Sequence, residues 1–213
     1  MKTINYSSAT FNDLEKVFDI ERKKGKEFFS EWFFEKYAIC EDEMIFLKKL
    51  IDKHSDKINN YTELELISKF IAPILNMIDF ELKGKAIRDF YEASLKVENH
   101  QVSFNGRCDF VVASGYDLPV KPYFFIQEFK QASGNLPENQ LLAEMLSAII
   151  LNGSDTIKGA YIMGTIWNFT ILEKKNDRYI YYTSKSLDSL DIDDLKQIYT
   201  NLQIVKREID ESN

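Results

Sequence analysis

The chain has 213 residues, 45% of them hydrophobic and 29% charged, and a formal net charge of −7, which suits one soluble domain or a domain with a small extension. No apolar run approaches the roughly 18 residues that span a bilayer, and the N-terminal residues lack the pattern of a secretory signal. We therefore expect a cytoplasmic protein that does not bind membranes. Two cysteines and two histidines argue against a disulfide framework or a zinc site.

The acidic charge argues against a general nucleic-acid coat protein, although it leaves room for a local basic groove. The eight glycines form neither a GxxxxGK[ST] nor a GxGxxG loop, so a nucleotide-binding enzyme is not indicated.

Residues 1–60 are predicted to form a helical N-terminal extension. Asn12 or Asp13 is expected to begin a first helix, and aromatic residues from Phe28 to Tyr37 form a second helical stripe. A third helix is predicted over residues 41–54. The stripe favours core packing, with partner binding as the alternative.

Residues 61–213 are predicted to form a second domain, because strand patterns appear there. A helix runs from Thr62 to about Met77, with a kink expected at Pro73. The remaining predicted elements, in chain order, are strands near 90–97, 107–113 and 123–130, a helix from 137 to 152, strands near 159–163, 167–172 and 179–182, and a helix near 191–209. This order indicates an α/β fold with a mixed β-sheet flanked by helices.

The strand that ends at Lys130 carries the clearest chemical signal. It begins as an apolar, aromatic run and then places Glu128 and Lys130 two residues apart, so both side chains project from the same face. A buried carboxylate is costly unless something compensates its charge. A divalent metal ion is one such compensator, and a structural acid–base pair is another.

Three further residues join this candidate site. Asp109 begins an otherwise apolar strand, where the alternative is a strand-edge or turn-capping aspartate. Glu63 falls within the apolar arc of its helix, about 30° from the centre of that arc, whereas Glu65 falls on the opposite side, one turn from Lys69. The alternative for Glu63 is a first-turn acid favoured by the helix dipole. Gln140 follows the strand motif on the next helix.

An acidic helix is followed along the chain by Asp109, then by Glu128-Phe129-Lys130 and then by Gln140. This order of residues resembles the PD-(D/E)xK nuclease superfamily, whose fold is called restriction-endonuclease-like. More narrowly, residues 62–172 resemble uncharacterised bacterial members near the N-terminal nuclease region of type I restriction subunits. Cys108 stands where the superfamily name has proline, a position that varies.

The resemblance implies a metal-dependent nuclease, most simply one that cuts DNA in defence or repair. It implies Asp109 and Glu128 as ligands to Mg²⁺ or Mn²⁺ and Lys130 as the residue that positions or deprotonates a water. Glu63 and Gln140 would assist as further catalytic residues, and a homodimer is plausible by the same resemblance.

Nucleic-acid binding is a separate hypothesis for the basic residues Lys83, Lys85 and Arg88, which follow the acidic helix and could reach phosphates; a solvated charged face is the alternative. For the whole chain, the alternative function is a catalytically idle nuclease-like domain that binds a partner protein.

Overall fold

The computed structural model describes residues 2–131 and 137–212, and of Lys26 only the backbone. Its strands are β1 (Lys2–Asn5), β2 (Asp19–Lys24), β3 (Ile87–Glu98), β4 (Val102–Ser114), β5 (Val120–Lys130), β6 (Thr156–Met163), β7 (Ile166–Lys175), β8 (Arg178–Thr183) and β9 (Leu187–Asp188). Its α-helices are α1 (Phe11–Glu15), α2 (Ser30–Phe33), α3 (Glu41–His54), α4 (Glu63–Leu66), α5 (Ala72–Ile78), α6 (Glu138–Asn152) and α7 (Ile192–Glu211). The predicted α/β fold with a mixed sheet is confirmed.

The strands of the described residues form one sheet in the order β1-β4-β5-β6-β7-β8-β2, with β3 beside β4 and β9 beside β7. The sheet mixes both kinds of pair: β1–β4, β5–β6 and β8–β2 are parallel, whereas β4–β5, β6–β7 and β7–β8 are antiparallel. Successive residues of β5 point to opposite faces, so Phe125 and Phe129 join the core under α5 and α7, while Ile126 joins the core under α6.

The prediction that residues 1–60 are helical is wrong at two places. Residues 2–5 form β1, which pairs in parallel with β4, and residues 19–24 form β2, which pairs in parallel with β8. Both strands are short and mostly polar on their outer side, so their extended state depends on partners distant in sequence. The helix at 41–54 is confirmed, whereas the domain boundary between residues 60 and 61 stays a prediction.

The helical segment after Thr62 contains a π-helical turn, Ile67–Ile71, between α4 and α5. Proline cannot donate to the carbonyl four residues earlier and clashes with it, and for Pro73 that carbonyl belongs to Lys69, inside the π turn. Pro73 lies directly after this turn, in the first turn of α5. The structure thus has a π turn just before Pro73, whereas the kink expected at Pro73 itself stays a prediction.

One edge of β4 is paired with β3 from residue 103 to residue 114, with an interruption at Asp109. The opposite edge is shared, because β1 pairs with residues 102–105 and β5 pairs with residues 110–114. Residues 106–109 lie between these two partners. The ends of β1 and β5 therefore meet at a gap in the sheet, and the candidate site lies at this gap.

Candidate active site

Asp109 lies where β4 and β5 separate. The last paired residues are Phe110 and Gln127, and Asp109 and Glu128 lie one residue further along each strand. Instead of a backbone pair, the Asp109 carboxylate accepts a hydrogen bond from the Phe129 N–H, at 2.7 Å. This bond gives the Phe129 N–H a partner beyond the last residue pair of the two strands, and it holds the Asp109 carboxylate beside Glu128.

Lys130 lies at the centre of the candidate site. Its Nζ lies 2.7 Å from Glu128 Oε1, 3.6 Å from Asp109 Oδ2 and 3.7 Å from Glu63 Oε1. The backbone of Lys130 is also held in place, because the Gly164 N–H donates a hydrogen bond to the Lys130 carbonyl at 2.8 Å. The three acidic residues predicted from the sequence thus surround one ammonium group.

Glu128 is the most deeply buried carboxylate of this group, with a side chain that is 0% exposed. Neither of its oxygens accepts a well-directed hydrogen bond from the described residues, although Oε1 contacts the Lys130 ammonium. Burial and the nearby Asp109 carboxylate raise the pKa of Glu128, and Lys130 only partly offsets them. The site therefore holds a carboxyl group that needs a further positive charge to ionise readily.

Lys130 itself remains protonated in this environment. Burial alone would lower its pKa, but Glu128, Asp109 and Glu63 outweigh burial, so the pKa of Lys130 lies above its ordinary value. An ammonium with a raised pKa is suited to donating hydrogen bonds and stabilising negative charge, and is poorly suited to removing a proton.

Glu63 is placed differently from its predicted position. It is the first residue of α4, and its side chain is 43% exposed, so the prediction that it faces the core is wrong. The prediction assumed a regular α-helix, but the π turn at Ile67–Ile71 shifts the later residues around the helix axis. Glu65 pairs with Lys69 at 2.6 Å, as its position indicated.

Gln140 lines the same cleft as Asp109 and Lys130. It donates a hydrogen bond to Glu144 Oε1, at 3.2 Å. Glu144 is fully buried on α6 and has a raised pKa, because of its burial and then because of Glu128. We did not assign Glu144 from the sequence, although its position within the run Leu-Leu-Ala-Glu-Met-Leu signals a charge in a buried segment.

The three basic residues predicted to bind nucleic acid do not line this cleft. Lys85 forms an ion pair with Asp210 at 2.8 Å, and the Arg88 guanidinium lies 4.5 Å from the centre of the Phe90 ring. Lys83 and Lys85 form a short 3₁₀ turn. Their role in binding stays a prediction.

The cleft has a volume of about 820 Å³. Its lining includes Asp109, Lys130 and Gln140, together with the segment that follows β1, residues 6–10. Pro137 and Asn139, at the start of α6, complete the lining. This cavity opens directly onto the charged group.

The donor set suits a hard divalent ion. Asp109 and Glu128 supply carboxylate oxygens, and Asp109 uses Oδ2 for both of its recorded contacts. The described residues contain no cluster of three or more His, Cys, Asp or Glu arranged to hold a metal ion. Two carboxylates are nevertheless a common complement for Mg²⁺, which keeps several of its waters and takes further oxygens from phosphates.

No family model matches the chain, and no curated protein matches it. A solved structure described as "cryoEM structure DrdV-DNA complex" is similar with a TM-score of 0.42 and 14% identity; the match covers 75% of this chain and 14% of that chain. At this level of similarity we draw no argument from the match.

No helix in the described part of the chain is long and apolar enough to span a membrane.

Proposed function

We propose that this protein is a metal-dependent nuclease that hydrolyses phosphodiester bonds, with DNA as the substrate, and that it belongs to the PD-(D/E)xK superfamily. The observation that carries the proposal is the convergence of Asp109, Glu128 and Lys130 at one gap in the sheet. A purely structural ion pair would not require two carboxylates and a lysine at the mouth of a large cleft.

Asp109 and Glu128 are the residues that would hold Mg²⁺ or Mn²⁺. When bound, such an ion polarises a phosphodiester and lowers the pKa of a coordinated water. The buried Glu128 carboxylate, whose oxygens accept no well-directed hydrogen bond from the described residues, supports this assignment, because an ion would supply the compensation that the protein lacks.

Lys130 would act on the substrate as a cation. Its ammonium lies at the mouth of the site and is only partly buried, so it can reach a phosphate oxygen and stabilise the negative charge that develops there. Glu63 would hold the ammonium from the solvent side, and Gln140 would fix Glu144 and contact the bound strand. These roles require no change of protonation at Lys130.

The alternative, an idle nuclease-like domain that binds a partner protein, has one specific observation in its favour. Phe34 is 80% exposed and, with Phe33, lines an apolar cleft of about 380 Å³. A domain of that kind would have no need to retain the buried Glu128.

The deciding experiment compares the wild type with Lys130→Ala on a panel of DNA and RNA substrates in Mg²⁺ or Mn²⁺. Lys69→Ala is the matched control, since Lys69 pairs with Glu65 on the exposed side of the neighbouring helical segment. We expect metal-dependent cleavage by the wild type and Lys69→Ala and its loss in Lys130→Ala. Full activity in Lys130→Ala, or no cleavage by the wild type in either metal, contradicts the proposal.

A further inference from the structure

The N-terminal segment after β1 forms a wall of the catalytic cleft. Because β1 runs parallel to β4 and ends opposite Asn105, the chain continues toward the gap where Asp109 lies. The lining of the cleft includes Tyr6, Ser7, Ser8, Ala9 and Thr10. These residues therefore line the same cavity as Asp109 and Lys130, although more than 95 residues separate them from Asp109 in sequence.

This wall is held firmly by Tyr6. The Tyr6 hydroxyl donates to Ser147 Oγ on α6, at 2.8 Å, and the side chain is 1% exposed. Its ring stacks on Phe104 and covers Gly106, where an added Cβ would lie only 2.4 Å from a ring atom. Gly106 has a φ of +154°, so both its conformation and its lack of a side chain fit this close contact.

The cleft presents neutral polar groups beside the charged centre. Within the described residues, Ser7 is exposed and its hydroxyl makes no recorded hydrogen bond, whereas the Thr10 hydroxyl donates to Asp13 Oδ2 at 2.6 Å. At the start of α6, Arg22 donates to the Asn139 amide oxygen. With that oxygen engaged, the Asn139 NH₂ group is the part of the side chain left to donate into the cleft.

We propose that residues 6–10, with Asn139, bind the sugar–phosphate backbone of the nucleic-acid strand next to the scissile bond. This inference rests on the nuclease function proposed above and adds a substrate-binding wall to it. Hydroxyl and amide side chains are common donors to phosphate and sugar oxygens, and such contacts position a strand without reading its sequence. The wall is therefore expected to act equally on substrates of different sequence.

The test places a negative charge in the wall. Ser7→Asp should repel the phosphate backbone, whereas Asn12→Asp adds the same charge at an exposed position on α1 outside the cleft. We expect Ser7→Asp to raise KM about tenfold, as a lost phosphate contact would, with kcat changed less than threefold and with similar effects on substrates of different sequence. Asn12→Asp should match the wild type. Equal KM values for the two variants overturn the inference.

A second measurement separates this inference from the proposed function. Amide hydrogen exchange over residues 5–11 is followed in the wild type with and without a non-cleavable phosphorothioate oligonucleotide, in Mg²⁺. We expect protection of these amides. If the oligonucleotide binds but these amides are not protected, the inference about the wall is overturned, whether or not the enzyme cleaves. If the oligonucleotide binds and protects these amides but no substrate is cleaved, only the nuclease proposal is contradicted. If no nucleic acid binds at all, both are overturned.

Discussion

The Asp109 carboxylate accepts the Phe129 backbone N–H at 2.7 Å, at the point where β4 and β5 stop pairing. One side chain thus performs two tasks, since it ends the ladder and supplies an oxygen to the site. The two tasks can be separated by substitution, because asparagine keeps a hydrogen-bond acceptor while losing the charge.

Asp109→Asn should therefore keep the fold and lose the chemistry. We expect its thermal unfolding midpoint to stay close to the wild-type value, while metal-dependent cleavage falls at least a hundredfold, or about 2.7 kcal/mol in the barrier. Asp109→Ala should lose the same activity and in addition leave the Phe129 N–H without its partner, at a cost of about 1–3 kcal/mol. Cleavage rates and calorimetric unfolding of both variants check this. Equal stability of the two would show that the hydrogen bond has no structural role.

Lys130 and a divalent ion are expected to compete for the same carboxylates. The Lys130 ammonium lies 2.7 Å from Glu128 Oε1. A metal ion bound to the same carboxylate would therefore lie within a few ångströms of the ammonium, and two positive charges repel at such distances even with strong screening. Lys130→Ala should therefore bind Mg²⁺ or Mn²⁺ several-fold more tightly than the wild type while failing to cleave. Calorimetric titration with Lys69→Ala as control measures this. Weaker metal binding in Lys130→Ala would show that the lysine assists the ion instead of competing with it.

Glu63 should make a modest contribution to cleavage, because its side chain is half-exposed and its ion pair with Lys130, among the described residues, spans 3.7 Å. Ion pairs of this kind are worth roughly 0–1 kcal/mol. Glu63→Gln should therefore lower cleavage about two- to fivefold without a measurable change in stability. The matched variant is Glu65→Gln, which removes the same charge from the same helical turn and retains a capping side chain at this position. It should cleave like the wild type; a similar loss in both variants would point to a general charge effect.

Apart from the two-residue strand β9, the strands and helices from residue 87 onward could be predicted because each carries its own periodicity and turn signals. α6, for example, begins after Pro137 and ends at Gly153, whose φ is +67°. The position of Asp109 on a strand next to the one that carries Glu128 could be expected from the order of the strands. By contrast, β1 has only one buried residue, Ile4, so nothing local distinguishes it from a loop.

The N-terminal wall of the cleft could not be predicted for the same reason. Tyr6 reaches the site through pairing of β1 with β4 and through contact with Gly106, and both are contacts between distant parts of the chain. Glu144 is different, because an isolated acid in an apolar helical run was visible in the sequence. Its burial on α6, beside Glu128, gives it consequences for stability.

Glu144 should make the metal-free protein less stable at high pH. Burial and Glu128 raise its pKa in the folded state, so the folded protein retains a proton that the unfolded chain has lost. The free energy of unfolding therefore falls as pH rises from the ordinary glutamate range through the raised pKa. Glu144→Gln removes this titration. Melting curves are measured in EDTA from pH 5 to pH 9. As the pH rises, the melting temperature of Glu144→Gln should increase relative to that of the wild type. A difference of about 1 kcal/mol in the free energy of unfolding corresponds to roughly 2–4 °C. A pH-independent difference would contradict the assignment.

Metal binding should be coupled to ionisation of Glu128. Burial and the neighbouring Asp109 carboxylate raise the pKa of Glu128 to about 8 in the metal-free protein, yet a ligand carboxylate must be deprotonated, so binding releases a proton below that pH. The affinity for Mg²⁺ should rise by on the order of tenfold per unit from pH 6 toward pH 8 and then level off. Calorimetric titrations in two buffers of different ionisation enthalpy should detect release of nearly one proton per ion at pH 6.5. Glu128→Gln should remove both the proton release and most of the affinity, whereas Glu65→Gln, far more exposed, should change neither. Proton release that persists in Glu128→Gln would assign the coupling to another group.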